Sequence, residues 1–184
     1  MTLSATERPT IINLMRNMKV DHVIPLEEVH RTFPNITKLY PGRPEMIIMK
    51  MTNGRNMQMF RGGKVQILGR VSDADAESMR LECIATLRKI SAMRQAQVTT
   101  MTVSNLVISV QLKKALRLRK NALTDCDFFH ETELFPAALI RKWHPVHIAA
   151  FHNGRIIFTG LKSLEELNSM LPTLISYLEA RDIL

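Results

Sequence analysis

Apolar and polar positions alternate along Ser104–Val110: Leu106, Ile108 and Val110 fall on one face, Asn105, Val107 and Ser109 on the other. A period of two predicts a half-buried strand. Asn13-Leu14-Met15 opens a similar stretch 92 residues before Asn105-Leu106-Val107. Elsewhere the period changes. Ala76, Met79, Cys83, Ile84, Leu87 and Ile90 keep helical spacing, and so do Leu164, Leu167, Leu171, Leu174 and Leu178. These two segments predict amphipathic helices. Each is entered through a Ser with an acidic residue three positions on, Ser72 with Asp75 and Ser163 with Glu166, the pattern of an N-cap. Pro172 predicts a kink inside the second helix.

The pattern repeats. "MFRGGKVQILG" (Met59–Gly69) returns 91 residues later as "AFHNGRIIFTG" (Ala150–Gly160), with Phe60, Gly63, Lys64 and Gly69 matching Phe151, Gly154, Arg155 and Gly160. Each copy also carries a shorter helical stretch after its first strand. "PLEEVHRTF" places Pro25 at a first helical position, and "LKKALRLRK" is its counterpart. "EMIIMKM" and "AALIRKW" read as apolar strands, Asn53-Gly54 as a hairpin and His144-Pro145 as a turn. The unit is therefore strand, helix, three or four antiparallel strands, helix. Two tandem copies of about 90 residues, joined near Ser91–Thr99, predict an α+β chain with a short extension at 1–10 and repeats at 11–95 and 96–184.

Two long helices cover one face of such a sheet and leave the other open. Strand parity puts Asn13, Met15, Gln58, Phe60, Gln66 and Leu68 on the open face in the first copy. In the second the set is Asn105, Val107, Ala149, Phe151, Ile157 and Thr159. An uncharged face holding two Phe implies a ligand or, failing that, a dimer interface or a second packed layer.

Composition narrows the choice. In 184 residues, 46% are hydrophobic and 23% charged, a globular profile able to bury about 70% of the extended chain's surface. No apolar run approaches the ~20 residues of a membrane span, and Met1–Thr10 is too polar for a secretory signal. Cys83 and Cys126 give no disulfide framework, which favours a reducing compartment. The net charge of +8 favours a polyanionic partner. His144, His147 and His152, with Cys126 or Glu133, are the one grouping of metal-ligand types, but "HPVH" spans a Pro turn and lacks a third ligand at a familiar interval. There is no Gly-rich phosphate cradle or nucleophile elbow, so no enzyme, metal or cofactor is expected. The Met-rich stretches with Met46, Met49, Met51, Met57 and Met59 read as sheet packing, and Cys83 as core.

These residues resemble a known family. An Asn on each first strand, a Phe before "GGK" or "NGR", and a closing Gly are similar to the two-repeat core of the TATA-box-binding proteins. "ETELFPAALIRK" (Glu131–Lys142) and "IIFTGLKS" (Ile156–Ser163) are the most specific stretches, and the likeness runs from about Arg8 to Tyr177. It implies a saddle-shaped curved antiparallel sheet with helices on the convex side. It also implies a general transcription initiation factor that lays its open face into the minor groove of TATA-like promoter DNA, bends it, and recruits transcription factor IIB and RNA polymerase. The bend is the family's own known behaviour.

By position, Asn13 and Asn105 would be central amides on the base acceptors, with Thr159 beside them and Met15, Val107 and Ile157 on the groove floor. Phe135, Phe151 and Phe60 hold wedge positions, but the fourth is Pro44 where the family has Phe. Gln58, Gln66 and Leu68 also depart from the family's apolar, apolar and Thr, which suggests weaker A·T selectivity in this half. Lys50, Lys64, Arg141, Arg155 and Lys162 would hold phosphates. Glu131, Glu133 and Leu134 match the loop that docks factor IIB, whereas "LYPGRP" (Leu39–Pro44) departs enough to put factor IIA contact in doubt. The alternative within this resemblance is a paralogue acting as a protein-assembly platform with weak or altered DNA specificity. Location would be nuclear, cytoplasmic in an archaeal host, or the host nucleus or viral factory for a virus.

Overall fold

The computed structural model describes residues 9–42, 44–118, 127–131 and 133–184. Two compact bodies result, Leu14–Ser104 and a second formed by Asn105–Leu184 with Met1–Asn13.

The Leu14–Ser104 body follows the expected order. Strand β1 (Thr10–Lys19) leads to helix α1 (Leu26–Thr32), then to β2 (Thr37–Tyr40), β3 (Met46–Lys50), β4 (Asn56–Phe60) and β5 (Lys64–Leu68), and on to α2 (Asp73–Leu87). The strands hydrogen-bond in the order β2-β3-β4-β5-β1, each pair antiparallel. Their alternation decides what is buried. Met18, Ile47, Met49, Met57, Met59, Val65 and Ile67 point inward against Ala76, Met79, Cys83 and Leu87 of α2. Unbranched thioethers fill the irregular space between a twisted sheet and a helix, which accounts for the Met-rich strands. Cys83 is sealed there, its Sγ 3.9 Å from Met59 Sδ. Burial, helped by the neighbouring Glu82 charge, pushes its thiol up to about 12.

The second body repeats the plan with β6 (Thr102–Gln111), β7 (Phe128–Phe129), β8 (Ala137–Ile140), β9 (His147–Phe151), β10 (Arg155–Leu161) and α3 (Leu164–Ala180). The strand order is β6-β10-β9-β8-β7, and α3 packs on β10. Leu106, Ile108, Val110, Ile148, Ile156 and Phe158 are buried, as are Leu167, Leu174 and Leu178 of α3. Leu171 is half-buried and Leu164 exposed, so the apolar stripe of α3 is narrower than its sequence implies. The helix continues through Pro172. Tyr177 meets Trp143 edge-on at 5.3 Å, with the Lys142 and Arg181 cations at 4.7 and 4.6 Å from its ring.

Both caps form as expected: Ser72 accepts from the Asp75 N–H and Ser163 from the Glu166 N–H. The expected helix at "LKKALRLRK" does not form over 112–118. The N–H groups of Leu112, Leu116 and Arg117 donate instead to the carbonyls of Gly154, His152 and Ile183, and Leu112 and Leu116 are buried. Tertiary acceptors and burial outcompete a short helix that is marginal by itself. Residues 119–126, with Cys126, lie outside the described residues.

The repeated glycine before each basic residue has one physical cause. Gly63 has φ +86° and Gly154 φ +83°, and a Cβ at either would sit 2.3 Å from Val20 O or 2.4 Å from Lys114 O. Each hairpin turn lies against the chain just after its body's first strand, so only hydrogen fits. Gly54, with φ +79°, has open space around it. Gly54→Ala should therefore cost about 1–2 kcal/mol from left-handed strain alone, and Gly63→Ala several times that, read by urea unfolding followed at Trp143. Ser72→Ala and Ser163→Ala should each cost about 1 kcal/mol. In a Cys126→Ser chain, Cys83 should resist iodoacetamide at pH 8.5 until the protein is denatured. Because the folded thiol pKa is raised, Cys83 ionisation removes stability only as pH climbs past the unfolded value near 9.0 towards 12.

Candidate nucleic-acid interface

In the Leu14–Ser104 body the face away from α2 is built from register. Across the strands, Asn17 lies opposite Gln66, Gln66 opposite Gln58, and Gln58 opposite Ile48. Beside that row Met15 faces Leu68, which is 47% exposed, and Met46 faces the half-buried Phe60. Gln66 Nε2 donates to Asn17 Oδ1 at 2.9 Å and lies 3.4 Å from Met15 Sδ. Lys64 Nζ stands 5.9 Å from the Phe60 ring centroid. Lys50 is exposed at the end of β3, and Pro44 is exposed in the loop before it.

Lys19 and Lys64 are register partners, both exposed. Together with Asn17, Thr99, Thr100 and Thr102 they line a cleft of about 400 Å³. Like charges directly opposite across a strand pair repel, and an anion between them removes the repulsion. Two ammoniums with hydroxyls around them suit a phosphate oxygen. Several acids of this body pair with arginine. Arg61 bonds Glu27 and Glu45, and Arg80 bonds Glu77. Those guanidinium hydrogen bonds hold the Glu27 and Glu77 carboxyls below the usual range, so both remain anionic partners of arginine.

The second body presents the counterpart face. Ser109 lies opposite Ile157, Ile157 opposite Ala149, and Ala149 opposite Leu139, with Thr159 facing Val107 and Ala137 facing Phe151. The register slips between Thr159 and Leu161, and at that bulge Asn105 Oδ1 accepts from the Gly160 N–H at 2.9 Å. With its carbonyl engaged, the Asn105 amide has its NH2 donors left for a ligand. Those donors match the acceptors that A·T and T·A pairs show in the minor groove. Asn13 is exposed. Phe135 and Phe151 meet edge-on with centroids 6.2 Å apart, and Phe135 is 42% exposed. Arg155 donates to Ser109 Oγ, while Arg141 and Lys162 are exposed. Glu131, Glu133 and Leu134 form an exposed turn in which the Glu131 carbonyl accepts from the N–H groups of Leu134 and Phe135; Leu134 is 73% exposed.

Residues 100–180 match the family model described as Transcription factor TFIID (or TATA-binding protein, TBP). The chain is 26% identical over 165 residues to TATA-box-binding protein-like 1 of Entamoeba histolytica, covering 88% of this chain and 75% of that one. It is 27% identical to the TATA-box-binding protein of Schizosaccharomyces pombe, covering 86% and 69%. The solved structure of Methanococcus jannaschii TBP matches with a TM-score of 0.71 at 23% identity, over 95% of this chain and 99% of that one. The chain is similar to TATA-box-binding proteins over most of its length, and its second repeat matches that family's model. The α+β fold of two tandem antiparallel repeats expected from the sequence is the fold found.

Strand parity put Met15, Gln58, Phe60, Gln66 and Leu68 on one face of the first body, whereas Asn13, expected with them, belongs to the second body. Gln66 is the most covered of them at 8% exposure, its Nε2 held between Asn17 Oδ1 and Met15 Sδ on the neighbouring strand. The sequence reading missed Asn17 and Lys19, although the alternation that found Asn13 and Met15 reaches both by steps of two. Ile48, Ser109 and Leu139 join the face through cross-strand register. Among the described residues no group of three His, Cys, Asp or Glu side chains could hold a metal ion.

The Asn105 geometry separates two roles of one side chain. Asn105→Ala should cost about 1–3 kcal/mol in urea unfolding, because the Gly160 N–H loses its acceptor. Asn105→Asp keeps an acceptor and should stay within about 1 kcal/mol of the parent chain.

Proposed function

We propose that the chain is a transcription initiation factor that binds and bends promoter DNA through the minor groove at TATA-like elements. It would then recruit a transcription factor IIB-like protein and the RNA polymerase machinery, in a nucleus, in the cytoplasm of an archaeal host, or in the host nucleus or viral factory for a virus. The observation that carries the reading is an uncharged, Phe-bearing sheet face with exposed cations at its margins, found in each body. Its similarity to TATA-box-binding proteins supports the same reading.

The physics suits the task. Val107, Ile157, Thr159 and Met15 displace water from the groove floor, and the donors of Asn105 and Asn13 meet the N3 and O2 acceptors. Phe135 with Phe151, and Phe60, enter base steps and offset lost base stacking with their own rings. Pro44, in the place of a fourth aromatic wedge, has no ring face with which to stack. Lys19, Lys50, Lys64, Arg141, Arg155 and Lys162 meet phosphates, each contributing about 0.9 to the slope of log affinity against log salt. Glu131, Glu133 and Leu134 offer the IIB-like partner two acids around one apolar side chain.

A doubly dye-labelled TATA duplex tests this directly. Wild type should bend it, and Phe135→Ala/Phe151→Ala should lose most of the bend while folding normally. Lys64→Gln should lower the salt slope by about 1 without altering base preference. Equal binding without bending by wild type and double variant would favour the assembly-platform reading.

A further inference from the structure

The open face of the Leu14–Ser104 body carries a row of three amides, Asn17 on β1, Gln66 on β5 and Gln58 on β4, joined by register. The same row in the other body reads Ser109, Ile157 and Ala149. One scaffold thus carries a polar floor in one repeat and a nearly apolar floor in the other.

The hydrogen bonds give the polar floor a direction. Gln66 Nε2 donates to Asn17 Oδ1 and approaches Met15 Sδ, and both acceptors lie on β1. A planar amide carries its oxygen opposite its nitrogen, so Oε1 turns away from β1. Asn17 is a positioning residue here: its Oδ1 fixes which end of the Gln66 amide is offered. In the minor groove A·T and T·A pairs present acceptors alone, and only a G·C pair adds a donor, the guanine 2-amino group. An acceptor over an A·T pair meets another acceptor. Over guanine it meets the one donor in the groove, the group that obstructs an apolar floor.

We infer that Gln66, oriented by Asn17, recognises a guanine 2-amino group, so the half-site under this body contains a G·C pair while the other half is read as A·T. Gln58 has the same chemistry on the neighbouring strand and lies directly opposite. The inference rests on the minor-groove reading above.

Hypoxanthine isolates the group concerned, since an I·C pair differs from G·C only by the missing 2-amino group. Affinity is measured for duplexes carrying G·C or I·C at each position of a bound promoter site in turn. Wild type should prefer G·C over I·C by between about 5-fold and 150-fold at a position in one half. In the other half it should prefer I·C. Gln66→Val, which copies the apolar character of Ile157, should turn the first preference into one for I·C. Asn17→Ala should reduce the G·C preference towards unity, and Asn17→Asp, which keeps the acceptor, should restore the ratio even if overall affinity falls. Urea unfolding of each variant separates lost selectivity from lost fold. Wild-type preference for I·C at every position would overturn the inference while leaving minor-groove binding intact. Failure to bind any duplex would sink the minor-groove reading itself, and this inference with it.

Discussion

One helix can cover only one face of an antiparallel sheet, and the rest of this molecule depends on that constraint. Side chains alternate along a strand, so burying Met18, Met57, Met59, Val65 and Ile67 under α2 commits Asn17, Gln58, Phe60, Gln66 and Lys64 to the opposite face. The second body obeys the same rule, with Ile148, Ile156 and Phe158 beneath α3 and Ala149, Ile157 and Thr159 opposite. Slipping any strand by one residue would invert both faces together. Core and candidate site are therefore set by a single register.

What fixes that register is local and repeated. Val20 donates to the Gly63 carbonyl while Gly63 passes too close to Val20 O for any side chain, and Leu112 makes the matching bond to Gly154. A hairpin turn held this tightly cannot lengthen or slide. The basic residue that follows, Lys64 or Arg155, is consequently held at a defined place on the margin of the open face. A backbone requirement and a ligand requirement meet in two adjacent residues, which explains why "GK" and "GR" survive in repeats that otherwise differ.

The repeats have diverged where the scaffold permits it. Inward positions must fill a closed space, so most of them remain apolar in both bodies, Arg16 and Thr37 being polar ones. Outward positions answer only to a ligand. Asn17, Gln66 and Gln58 stand where Ser109, Ile157 and Ala149 stand in the other body, and Pro44 where the other has Phe135. The Gln66–Asn17 bond satisfies one donor and one acceptor of the first row within the face itself. In the second body Asn105 spends its carbonyl on the bulge at Gly160, and the apolar floor surrounds it.

The sequence by itself determined the tandem plan, both capped helices, the faces of β1, β6 and β10, and the glycine positions. Each of these is written in spacing, capping residues or turn residues within a few positions along the chain. Only the tertiary structure decided the rest. The "LKKALRLRK" segment has helical composition, yet over 112–118 its N–H groups go to Gly154, His152 and Ile183, acceptors that lie far along the chain. Likewise the pairing of Lys19 with Lys64 and of Asn17 with Gln66 exists only once β1 is laid beside β5. Local periodicity tells a side chain which way to face; its neighbour across the sheet is chosen by strands that meet only in the folded chain.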